Sequence, residues 1–99
     1  LNRRVYLLKT YFLTENMILF NSRKNSFRQF LRVNKAISKQ HQKQRENFIK
    51  LLDKLYKIKD LRNKADKRRL EVLQQRIRQT KELSEAKWLL EQIDIFLKA

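Results

Sequence analysis

The sequence predicts an all-α protein: long basic helices with a heptad seam, forming an extended or helical-hairpin coiled coil with no compact independent core. Three observations predict it. Gly and Pro are both absent, so nothing in the covalent chain forces a helix to stop, and few turns with positive φ are expected. Leu, Lys, Arg, Gln and Glu are abundant, and all are good helix formers. From Phe27 to Leu97 one heptad frame runs without a slip, and most of its a and d positions are apolar. At 99 residues the chain is one domain at most.

Residues 1–20 are expected to form a hydrophobic partner-docking helix. Val5, Tyr6, Leu7, Leu8, Tyr11, Phe12 and Leu13 are followed by Met17, Ile18, Leu19 and Phe20, with Thr14-Glu15-Asn16 between them. The apolar positions go round the helix rather than along one stripe, which predicts burial on several sides. The run is too short and broken for a membrane span, which takes about 20 mostly apolar residues. Residues 21–26, Asn-Ser-Arg-Lys-Asn-Ser, read as a polar break. Ser26 and Gln29 then fit a capping box that would start the main helix.

A long basic heptad helix is expected over 27–79. Its seam runs Phe27, Phe30, Asn34, Ile37, His41, Gln44, Phe48, Leu51, Leu55, Ile58, Arg62, Ala65, Arg69, Val72, Arg76 and Gln79. Unbroken from Phe27 to the end, such a helix would reach about 100 Å. In the hairpin alternative Phe48–Ile58 packs against Leu83–Leu97, with a bend near Asn63–Arg69 or just before Thr80 and Ser84. The acid-first pairs Asp53–Lys57 and Asp94–Lys98 support exposed helix. Residues 80–99 read as a C-terminal amphipathic docking helix with Leu83, Ala86, Leu90, Ile93 and Leu97 on one stripe and Trp88 off it.

Charge is the strongest functional signal. The formal net charge is +15, which is costly in a compact monomer unless something acidic neutralises it. Residues 21–45 hold Arg23, Lys24, Arg28, Arg32, Lys35, Lys39, Lys43 and Arg45 and no acid. Arg28, Arg32, Lys35, Lys39 and Lys43 step by three and four, so a continuous helix would carry them on one stripe. A second cluster holds Arg62, Lys64, Lys67, Arg68, Arg69 and Arg76. Three of these Arg fall in the predicted seam, where unpaired they would cost several kcal/mol, so the seam is expected to open there onto phosphate or an acidic partner.

Enzyme chemistry finds little support, and no catalytic residue is expected. Cys is absent, which removes thiolate sites and disulfides. The single His, His41, has no nucleophile or patterned carboxylate near it, and no metal-ligand spacing occurs. No cofactor or metal is expected. Leu55-Tyr56-Lys57 is similar to the Leu-Tyr-Arg tripeptide of the small basic mitochondrial LYR-motif proteins. It lies mid-chain, and Val5-Tyr6-Leu7 near the start departs in two of three positions, so no function is carried over.

These readings lead us to expect a structural subunit of a ribonucleoprotein particle of ribosome or ribosome-assembly type. RNA phosphate, of ribosomal RNA above all, would meet Arg23, Lys24, Arg28, Arg32, Lys35, Lys39, Lys43, Arg62, Lys64, Arg68, Arg69 and Arg76. Neighbouring proteins of the assembly would meet Tyr11, Phe12, Phe48, Leu51, Leu55, Ile58, Leu83, Trp88, Leu90, Ile93 and Leu97. Homo-oligomerisation is left open. The alternative is a coiled-coil scaffold subunit of a protein-only complex. The acid-poor, Arg- and Ser-containing first half resembles a transit segment and leans localisation to the mitochondrion over the nucleus or nucleolus. The chain begins with Leu, so a processed or trimmed chain, or a fragment, is expected.

Overall fold

A computed structural model describes residues 2–61 and 66–98. Five helices make up the fold among the described residues: α1 (Asn2–Leu13), α2 (Met17–Val33), α3 (Lys39–Leu61), α4 (Asp66–Gln79) and α5 (Ala86–Lys98). The chain divides into two compact units, Leu1–Ser38 and Lys39–Ala99.

The first unit is a helical hairpin. With no Gly available, α1 ends on an acid. Glu15 takes the left-handed conformation at φ 57°, which costs a non-Gly residue about 1–2 kcal/mol. Its N–H donates to the Phe12 carbonyl at 3.3 Å and the Asn16 N–H to the Tyr11 carbonyl at 3.0 Å. This is the Schellman pattern, in which the last carbonyls of a helix are satisfied by the residues that leave it. Asn16 then starts α2, its side-chain oxygen accepting from the Leu19 N–H at 3.1 Å. Leu8 and Phe12 of α1 are buried, as are Phe20, Phe27 and Leu31 of α2. Their spacing of four, seven and four keeps each set on one helix face. The Arg4 guanidinium lies 4.1 Å from the centre of the Phe30 ring.

Asn34 closes α2. Its N–H donates to the Phe30 carbonyl at 3.1 Å, and its side-chain oxygen accepts from the Ala36 N–H at 3.0 Å. Offered this local partner, the backbone leaves the helical path, and helix resumes only at Lys39.

The second unit is a three-helix bundle. Ser84 donates its N–H to the Gln44 carbonyl at 3.2 Å, and the Asn47 amide donates to the Glu82 carbonyl at 2.8 Å. These bonds fix the α4–α5 connection beside the start of α3, so α4 runs antiparallel to α3. Phe48 meets Trp88 edge-on at 6.4 Å, and the Lys59 ammonium sits 5.6 Å from the Phe96 ring. Those two contacts lie at successive heights, so α5 runs parallel to α3. The buried core is Phe48, Ile49, Leu51, Leu52, Leu55 and Tyr56 from α3, Leu70, Leu73 and Ile77 from α4, and Leu89 and Ile93 from α5. A face this wide belongs to a bundle helix rather than to a two-stranded seam.

All-α holds, whereas an extended coiled coil with no core does not: each unit buries its own apolar side chains. The hairpin alternative comes nearer, since Phe48 of α3 does meet Trp88 of α5, although α4 completes the packing. The expected polar break at 21–26 is helical and lies inside α2, with Ser26 exposed and the cap at Asn16 instead. The single heptad frame does not survive past α3. In α4 the buried face is Leu70, Leu73 and Ile77, one residue on from the predicted Arg69, Val72 and Arg76. Helical phase is carried only by a continuous helix, so each new helix sets its own. With that shift, Arg69 and Arg76 are exposed rather than seam residues, and the puzzle of charged seam positions disappears there.

Candidate polyanion-binding groove

The antiparallel pairing of α3 and α4 leaves a groove of about 580 Å³. It is lined by the apolar side chains of Ile58, Val72 and Leu73 and by the cations Lys54, Lys57, Arg68, Arg69 and Arg76. No acid is among these lining residues. The placement follows from phase. Leu70, Leu73 and Ile77 turn one face of α4 into the core, and Arg69 and Arg76, a heptad apart, flank that face on the open side. From α3, Lys54, Lys57 and Ile58 meet them on a second helical stripe.

The cations of the groove repel one another. Partial burial pulls the Lys54 ammonium below the ordinary lysine value, and the positive charges of Arg76, Lys50 and Lys57 lower it further. Lys57 is balanced by Asp53 at 3.2 Å, an i,i+4 pair on α3. An anion held among them would relieve the remaining repulsion.

Sequence reasoning singled out Arg68, Arg69 and Arg76, and the fold brings all three to this groove. It missed Lys54 and Lys57, whose relation to α4 becomes visible only once α3 and α4 are known to pair antiparallel. Arg62 and Lys64 lie outside the described residues. The 21–45 cations do not share one helix. Arg23, Lys24, Arg28 and Arg32 belong to α2, Lys35 to the turn that follows, and Lys39 and Lys43 to α3 in the other unit. The reason is the Asn34 cap, which interrupts the helix that would have aligned them. Lys43 is paired with Glu82 at 3.5 Å across the α4–α5 connection, a surface ion pair that contributes little.

Several residues expected to face partner proteins are internal. Phe12, Phe48, Leu55 and Ile93 are fully buried and Leu51 nearly so. They have no area left for a partner, because the chain's own helices cover them. Leu55 and Tyr56, the first two residues of the Leu-Tyr-Lys tripeptide, are part of this core. Tyr11, Ile58, Leu83, Trp88, Leu90 and Leu97 are half-buried and keep some surface. Exposed apolar side chains that the sequence reading did not select include Ile18 at 82%, Tyr6 at 67% and Val33 at 62% in the first unit. Among the described residues, no group of three or more His, Cys, Asp or Glu is placed to hold a metal ion. Among the same residues, no helix is long and apolar enough to cross a membrane.

Compared with protein-family models, curated proteins and solved structures, the chain finds no match.

Proposed function

We propose that this protein is a non-enzymatic structural subunit of a ribonucleoprotein particle, of ribosome or ribosome-assembly type, and that its α3–α4 groove holds RNA. One observation carries the reading: Lys54, Arg68, Arg69 and Arg76 converge on one groove, and none of the described residues that line it is an acid, in a chain of net charge +15. Cations gathered in this way gain by replacing condensed counterions on a phosphate backbone. The exposed cations of α2, Arg23 and Arg32, and of the following turn, Lys35, supply further phosphate contacts. In this reading neighbouring proteins cover the exposed apolar side chains Tyr6, Ile18 and Val33 of the first unit, and ribosomal RNA in the mitochondrion is the favoured setting.

A protein-only scaffold is the second reading, and those same exposed apolar side chains favour it. Gradient sedimentation of the tagged protein from native lysate, with and without ribonuclease, separates the two. The proposal expects a heavy particle that collapses on digestion. It also expects the double variant Arg69→Glu/Arg76→Glu to leave that particle while remaining folded by circular dichroism. A particle that survives digestion intact, and retains the double variant, would support the scaffold instead.

A further inference from the structure

We infer that the α3–α4 groove selects single-stranded over duplex RNA, seating one unstacked base against its apolar side chains while the surrounding cations hold the flanking phosphates. This rests on the polyanion reading of the groove and specifies its substrate. A site that reads only phosphates needs nothing more than charge projecting from a helix face. Here the lining also includes the apolar Ile58, Val72 and Leu73, and Val72 keeps 61% of its surface exposed. An exposed Val between Arg69 and Arg76 offers an apolar contact that no phosphate can use. The groove is open to solvent, and its volume of about 580 Å³ leaves room for one base to lie against it. A duplex keeps the faces of its bases stacked inside and shows only base edges in its grooves. A single strand can splay a base out, and Arg guanidinium planes stack on such bases. Lys54, whose ammonium is disfavoured by burial and then by Arg76, Lys50 and Lys57, would hold a phosphate of either RNA and so leaves the choice between them to the apolar side chains.

Charge alone predicts the opposite preference, because a duplex carries phosphate at higher density than a single strand. The full chain is titrated by fluorescence anisotropy with a mixed-sequence single-stranded RNA and with the duplex of the same strand, at one ionic strength. The expected result is tighter binding of the single strand by about fivefold or more, since only the single strand can lay a base face against the apolar side chains. Val72→Lys removes an apolar side chain of the lining while adding a positive charge at an exposed site. It is expected to abolish the preference without lowering duplex affinity, with circular dichroism checking the fold. Equal binding of both RNAs, raised alike by Val72→Lys, would overturn the inference and leave the polyanion reading in place. Binding of neither RNA would remove the polyanion reading itself. Saturable binding of dodecanoate, lost in Val72→Lys and accompanied by no RNA binding, would assign the groove to an anionic amphiphile and overturn both.

Discussion

Lys54 shows how one side chain links stability to binding. Its proton is held more weakly in the folded chain than in the unfolded one, because burial and then Arg76, Lys50 and Lys57 disfavour the charge. Below the folded-state value both states carry the charge, and the full repulsion opposes folding. Between that value and the ordinary 10.5 the unfolded chain binds more protons, so the contribution of Lys54 to stability rises with pH. Lys54→Gln is therefore expected to melt at a higher temperature than the wild type near neutral pH, with the gap narrowing as pH climbs toward 10.5. The same variant should bind RNA more weakly. Scanning fluorimetry of both proteins across that range checks it, and a variant that melts lower near neutral pH would contradict the repulsion. Glu15 and Glu85, at φ 57° and 61°, show the same economy elsewhere. A chain without Gly still turns sharply, and among the described residues both left-handed positions are acids. The sequence reading expected few such turns because it attached positive φ to Gly.

At the level of the helices, the decisive quantity is phase. Helix content was legible from composition, but the expected single helix over 1–20 is split: Thr14-Glu15-Asn16, read only as an interruption of its apolar run, is where α1 ends and α2 begins. The Asn34 cap was equally readable, yet the unbroken heptad count passed over it, since periodicity records spacing and not the hydrogen bond that ends a helix. In α4 two stripes compete: Leu70, Leu73 and Ile77 against Arg69, Val72 and Arg76. The first is wholly apolar and wins, since burying it removes area from water without burying charge. Leu73→Ala is accordingly expected to cost about 2–5 kcal/mol, whereas Val72→Ala, one residue earlier, should stay within about 0.5 kcal/mol. Urea denaturation of the two variants decides between the frames, and the reverse order would restore the heptad seam. The cationic lining of the groove was half legible for the same reason. Arg68, Arg69 and Arg76 stand out as a cluster on one segment. Lys54 and Lys57 look like a solvated face with an i,i+4 partner, and only the antiparallel pairing of α3 with α4 turns them toward the arginines.

Over the whole molecule, the net charge of +15 opposes each packed unit in the absence of a partner. Screening removes most of that repulsion between charges farther apart than the Debye length, which is about 10 Å at 0.1 M salt and about 3 Å at 1 M. The free protein is thus expected to melt at a higher temperature as NaCl is raised from about 0.1 M to 1 M, and a falling melting temperature by calorimetry would argue that attractive ion pairs dominate instead. RNA binding should respond in the opposite direction, because salt competes for the same phosphates. The most direct test of the central claim is the affinity of the full chain for single-stranded RNA over a series of salt concentrations. If the groove and its flanks neutralise about five phosphates, log K falls against log salt with a slope near −3.5, and Arg69→Glu/Arg76→Glu flattens it. A slope near zero, unchanged in that variant, would show that these cations do not hold RNA phosphate.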